Sequence, residues 1–187
     1  MPLAFKIGVW NAWIFMSVFL LQMLVVMFAD KQILKRTHVS KDARRNKLDE
    51  WVGALGNMFW LMAMAYSVFL PFRLGTIWFP VGLCVFLFGL ALMAMATFNF
   101  IAAPPDKVIV RGAYHFSRHP MYLATLFIYL GCSIAAASWL FLFISVISAF
   151  FWHREALIEE RYCLKAYGSD YLEYLNRTPR WIGVPEK

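Results

Sequence analysis

The chain has 187 residues, 61% of them hydrophobic and 18% aromatic, with a mean hydropathy of +0.60. Soluble domains are about 45–50% apolar, so this composition excludes an ordinary soluble domain and implies an integral membrane protein. The net charge of +7 and isoelectric point near 9.5 would suggest nucleic acid in a soluble chain. Here the basic residues flank apolar spans, where topology and anionic lipid account for them without a nucleic-acid partner.

In chain order, Trp10 to Phe28 predicts a first transmembrane helix, interrupted only by Asn11, Ser17 and Gln22. It has no small-residue cleavage site after a short apolar core, so it is expected to be retained and not removed as a signal peptide. Asp30 to Glu50 reads as a charged loop carrying Lys31, Lys35, Arg36, Lys41, Arg44, Arg45 and Lys47. Trp51 to Phe72 predicts the second span, closed by Pro71 and the turn Arg73-Leu74-Gly75-Thr76, and Ile77 to Ala102 the third, ended by Pro104-Pro105. Met121 to Trp152 is too long for one ordinary span of about 20 residues and short for two full ones. Gly131, Ser133 and Ser138 near its middle suggest a helical hairpin with abbreviated arms, Met121–Ala136 and Trp139–Trp152. The expected fold is therefore all-α and membrane-embedded, with five transmembrane helices, the last two a short hairpin.

Charge placement bears on the count. With five spans, one side carries the loop residues above, then Lys107, Arg111 and Arg118, then Arg154, Arg161, Lys165, Arg177, Arg180 and Lys187. The other side carries only Lys6 and Arg73. This asymmetry predicts an external N-terminus and cytoplasmic C-terminal helices. Cys84, Cys132 and Cys163 have neither CxxC spacing nor a histidine cluster, so they read as inert thiols and no metal site is expected.

Two polar stretches carry potential chemistry. The first runs from Arg111 to Tyr122 and contains two arginines, two histidines and two tyrosines between apolar blocks. Pro120 suits the first turn of a membrane helix, whose unpaired N–H groups and positive dipole end favour an anionic group. The alternative is a juxtamembrane loop whose arginines only meet lipid headgroups. The second stretch, His153 to Gly168, predicts a helical continuation of the fifth span stopped at Gly168, with a short helix, Asp170 to Asn176, beyond it. Glu155 and Glu159 share a helix face as like charges, which is unfavourable unless Arg111, Arg118 or a cationic ligand sits there. The alternative is a pair of solvated acids with Arg161 and Lys165 as local partners.

Arg118-His119-Pro120-Met121-Tyr122, preceded by Gly112-Ala113-Tyr114 and followed about forty residues later by Glu159-Glu160, resembles a family of integral membrane methyltransferases. So does the ending Tyr167-Gly168-Ser169-Asp170-Tyr171-Leu172-Glu173-Tyr174. That family includes isoprenylcysteine carboxyl methyltransferases and phospholipid N-methyltransferases, and the resemblance covers residues 77–182. It implies S-adenosylmethionine as methyl donor, held by Asp106, Lys107, Val108, Ile109, Tyr114, His119, Pro120, Met121, Tyr122 and Glu159. It also implies catalytic roles for Arg118, Glu159, Glu155 and Arg154, and a lipophilic acceptor entering from the bilayer. In the prenylcysteine enzymes, an arginine four residues before the first glutamate of the pair meets the substrate carboxylate. This chain has Glu155 there, with Arg154 about 100° away on a helix. The acceptor therefore stays open among carboxylate, amine and thiol.

On this reading residues 1–76 form a two-helix scaffold and residues 77–187 a methyltransferase core. The active site is expected on the cytoplasmic face of a prokaryotic plasma membrane. Two other classes stay in view, a nicotinamide-dependent membrane reductase of related C-terminal architecture and a non-enzymatic small membrane protein. The reductase would be expected to need a larger helical scaffold. The non-enzymatic protein would predict charges within the first three spans, which contain none.

Overall fold

In the computed structural model, which describes residues 7–28, 46–104 and 106–183, the helices α4 (Trp78–Ala102) and α6 (Pro120–Ala135) pack against each other as the central antiparallel pair. Glycine makes the approach possible. A Cβ at Gly82 would run into the main chain of Ala135, one at Gly89 would lie 2.8 Å from the Ile128 nitrogen, and one at Gly131 would lie 2.7 Å from the Phe86 nitrogen. Small residues at a helix contact are what membrane packing favours, because lipid tails leave close van der Waals contact as the main gain. The expected arm Met121–Ala136 thus corresponds to α6, with Gly131 and Ser133 inside it, and the hydroxyl of Ser133 is satisfied by the Tyr129 carbonyl at 2.8 Å.

The turn between the two arms is short, as expected. Ala137 takes a left-handed φ of +48°, and Ser138 caps α7 (Trp139–Tyr167) by accepting from the Phe141 N–H at 3.2 Å. The helix α7 has 29 residues, about 43 Å at 1.5 Å per residue. Its apolar part ends near Trp152 and the polar remainder continues as one helix to Gly168, whose φ is +56°. The final helix, α8 (Ser169–Arg177), turns back against it.

The N-terminal part departs from the expected single helix over Trp10–Phe28. Two helices occupy it, α1 (Trp13–Met16) and α2 (Val18–Met27), meeting at Ser17, whose hydroxyl bonds back to the Ile14 carbonyl at 2.7 Å. Asn11 instead forms an antiparallel bridge with Pro71, with the Ala12 N–H on the Leu70 carbonyl and the Phe72 N–H on the Trp10 carbonyl. The buried Asn11 amide donates to the Val68 carbonyl at 2.7 Å, satisfying the end of α3 (Lys47–Val68).

The helix α3 also begins earlier than expected, because Asn46 caps it by accepting from the Asp49 N–H at 2.8 Å. Asp49 is buried and meets Arg161 of α7 at 3.0 Å, tying the two helices together at their polar ends. Most of the expected charged loop, residues 29–45, lies outside the described residues.

Among the described helices, α3, α4 and α7 are long and apolar enough to cross a membrane, whereas Trp13–Val26 and α6 are shorter apolar helices. At 16 residues α6 spans about 24 Å, less than the roughly 30 Å of a hydrocarbon core. The aromatic core of the bundle joins Phe15, Phe72 and Phe86 with Tyr129, Phe141 and Trp152.

Candidate active site

The segment between α4 and α6 is shaped before it contributes any chemistry. Gly112 takes a φ of +61°, and a Cβ there would clash with the Asn99 amide. That clearance lets Asn99 accept from the Ala113 N–H at 3.0 Å, opening the short helix α5 (Ala113–Phe116). Tyr174 of α8 donates to the Tyr114 carbonyl at 2.6 Å, holding the segment from the other side.

Next comes Ser117, whose hydroxyl donates to the Arg180 carbonyl at 3.0 Å and accepts from the His119 N–H at 3.2 Å. Pro120 then opens α6 at a position where its missing N–H leaves no helical bond unmade.

Glu160 is the electrostatic hub. Its Oε1 accepts from Arg118 Nε at 2.9 Å, from Arg180 Nε at 2.9 Å and from His119 Nε2 at 3.3 Å, and its Oε2 accepts from the Arg180 guanidinium at 2.7 Å. Burial alone would push this carboxyl up. The bonds from His119 and Arg180 and the charge of Arg118 outweigh burial and hold it well below its ordinary value. Arg118 also donates to the carbonyls of Leu175 and Thr178, each at 2.7 Å, so it clamps the end of α8.

His119 lies between the two acids, with Nε2 on Glu160 and Nδ1 3.5 Å from Glu159 Oε2. Burial opposes its charged form, but the paired acids prevail and its pKa is raised. Glu159 also accepts from the Tyr122 hydroxyl at 2.7 Å and keeps a quarter of its side chain exposed, against 6% for Glu160.

These groups border a cavity of about 340 Å³. Its polar wall is formed by Tyr114, Arg118, His119, Tyr122 and Glu159, and its apolar wall by Val26 of α2, Phe100 of α4 and Met121 of α6, with Gln22 between them. Tyr167, Tyr171 and Tyr174 complete it from α7 and α8. Cys163 also lines it, its thiol pushed up to about 12 by burial and by the neighbouring Glu159 and Glu160, so it stays protonated at neutral pH. The volume falls in the range of small-molecule sites, about 300–1,000 Å³.

Of the residues expected to bind a cofactor, Lys107, Val108, Ile109, Tyr114, His119, Pro120, Met121, Tyr122 and Glu159 all line this cavity. Asp106 is exposed and does not. Of the expected catalytic group, Arg118 and Glu159 line it, whereas Arg154 and Glu155 do not. Glu155 is buried one turn nearer the apolar part of α7, and Arg154 is half-buried on another side of that helix. Gln22 and Val26 carried no sequence signal beyond an interrupted apolar run, and Arg180 read only as one more basic tail residue.

Residues 74–170, more than half of the chain, match the family model described as phospholipid methyltransferase. The protein-S-isoprenylcysteine O-methyltransferase of Saccharomyces cerevisiae is 35% identical over 83 residues, 43% of this chain and 34% of the yeast protein. The chain thus aligns with about a third of the length of that curated relative. The matched region holds α4, α6, α7 and the segment bearing His119, and on that match the chain belongs to the phospholipid methyltransferase family.

Proposed function

We propose that the protein transfers a methyl group from S-adenosylmethionine to a lipophilic acceptor bearing a carboxylate, amine or thiol, at the cytoplasmic face of the membrane. The observation that carries this reading is one cavity with two unlike walls. A polar end holds His119, Glu159 and the first turn of α6, and an apolar end holds Val26, Phe100 and Met121.

The residues fit the cofactor by the chemistry of their donors. Glu159, acidic and partly exposed, suits an ammonium group. The N–H groups at the start of α6 lie at the positive end of a 16-residue helix and suit a carboxylate. Tyrosine faces from Tyr114, Tyr122, Tyr167 and Tyr171 suit a sulfonium cation.

When bound, S-adenosylmethionine supplies an activated methyl group on a positively charged sulfur. The chain's own part is alignment and exclusion of water. Tyr122 and His119 hold the Glu159 carboxylate in place from two sides. The apolar wall admits the acceptor from the lipid side and desolvates its nucleophile. A carboxylate or thiolate needs no base, whereas an ammonium must first lose a proton. Arg118 acts in this scheme by holding Glu160 and the end of α8.

Five crossings with an external N-terminus, α6 and α7 forming the last hairpin, put this cavity on the side of the basic residues. Equilibrium titration of the detergent-purified full chain with S-adenosylmethionine and with NADPH tests the cofactor. Methyl-transfer assays on a prenylcysteine analogue and an aminophospholipid test the acceptor. Binding of NADPH alone would overturn the proposal.

A further inference from the structure

Residues 178–183 follow α8 and lie beyond the family-matched region, yet they grip the cavity's polar end at several points. The Arg118 N–H donates to the Pro179 carbonyl at 3.0 Å, and Arg118 reaches the Thr178 carbonyl. The Arg180 carbonyl takes the Ser117 hydroxyl, and Ser117 in turn accepts from the His119 N–H, so Arg180 fixes the main chain at His119 through one intermediary. The Arg180 side chain forks onto both oxygens of Glu160, the acid that accepts from His119 Nε2. Trp181 lies tilted against the His119 ring at 6.2 Å and also reaches His153 at 5.9 Å.

Arg118 meets Glu160 through its Nε, while its Nη1 donates to two carbonyls. The two-point fork on this carboxylate therefore comes from Arg180, in the geometry that suits guanidinium and that lysine cannot reproduce.

We infer that Arg180 is a positioning residue for the site: by occupying both oxygens of Glu160 and anchoring Ser117, it sets the orientation of His119 and the share of Glu160's charge that His119 receives, leaving Nδ1 directed at Glu159. The inference rests on the proposed cofactor site for its catalytic meaning, but its physical content concerns His119 alone.

The groups facing His119 are Glu159 and Glu160 from α7, Tyr122 from α6, the preceding Arg118, and Arg180 with Trp181 from residues 178–183. Removing Arg180 takes away a positive charge and returns to His119 the part of Glu160's field that the fork had neutralised. Both changes favour the protonated imidazole.

The test uses the full chain in detergent with ¹⁵N-labelled histidine. Four histidines are present, and the His119 signal is identified by its loss in His119→Gln. Arg180→Gln should raise the His119 titration midpoint by about half a pH unit or more. Arg180→Lys, whose ammonium meets one oxygen only, should raise it by about 0.2 pH unit or more. S-adenosylmethionine titrations on the same samples should show about fivefold weaker binding for Arg180→Gln and about twofold for Arg180→Lys.

An unmoved His119 midpoint in Arg180→Gln overturns the inference. Where that variant does not fold, an unmoved midpoint in Arg180→Lys overturns it equally. If the parent chain binds no S-adenosylmethionine, the proposed function falls while the histidine titration still decides the role of Arg180.

Discussion

About 100° of helix rotation separates Glu159 from Glu160, and that angle divides their surroundings. Glu159 reaches the cavity, with Tyr122 and His119 as neighbours, and Glu160 is sealed among Arg118, Arg180 and His119. Glu159→Gln should keep the fold and weaken S-adenosylmethionine binding by roughly tenfold, about 1.4 kcal/mol, because shape is kept and one charge is lost. His115→Ala, whose ring packs on Phe116 away from the cavity, should stay within about twofold in the same titration. His119→Ala should weaken S-adenosylmethionine binding by on the order of 1.5–3 kcal/mol, and equal effects of His119→Ala and His115→Ala would mean that the segment is only a generic basic loop.

The pH dependence of stability follows from the same residues. The folded pKa of His119 is raised above its ordinary 6.5, so its stabilising contribution is complete below pH 6.5 and is lost as pH rises through the folded value. The folded pKa of Glu160 is lowered from 4.5, so its contribution is present above pH 4.5 and is lost as pH falls through the folded value. The thermal-unfolding midpoint of the parent in detergent should therefore exceed that of His119→Gln most near pH 5–6, the gap narrowing toward pH 9. A gap that widens with pH would contradict this assignment.

At the scale of the element, the glycines of α4 and α6 decide how closely the central pair approaches. Gly82→Val or Gly131→Leu should cost about 1–3 kcal/mol or more, since the obstructing atoms include main chain and cannot swing aside. Gly56 of α3 is the internal contrast. A Cβ there would meet Phe151 at 3.5 Å, an ordinary contact, so Gly56→Ala should be neutral or stabilising by up to about 1 kcal/mol through helix propensity. Unfolding of the three variants in one detergent would show the contrast, and similar losses in all three would remove glycine packing as its cause.

For the whole molecule, the described helices include three long enough to cross a membrane and two shorter apolar ones, so the crossing count turns on α6 and the N-terminal pair. If α6 and α7 form a hairpin across the membrane, the turn at Ala136–Ser138 lies on the face opposite α8. A cysteine at Ser138, with Cys84 replaced, should react with an impermeant reagent added from the side opposite the C-terminus. Labelling from the C-terminal side alone would sink the five-span arrangement.

Composition and apolar run length, read from the chain, were enough to indicate a helical membrane protein, because a bilayer demands long apolar segments whatever surrounds them. Local rules also located Pro120 at the start of α6 and Gly168 at the end of α7, since a missing N–H and a left-handed φ are properties of single residues. Periodicity could not show what Gly131 packs against, because its role depends on Phe86 in another helix. Nor could it place Asn11 against Val68, or Gln22 and Val26 beside residues about a hundred positions later. The division of labour between Glu159 and Glu160 depends on Arg180 and His119 converging from separate segments. Such charge pairing is settled by distance in space, and only the tertiary structure decided it.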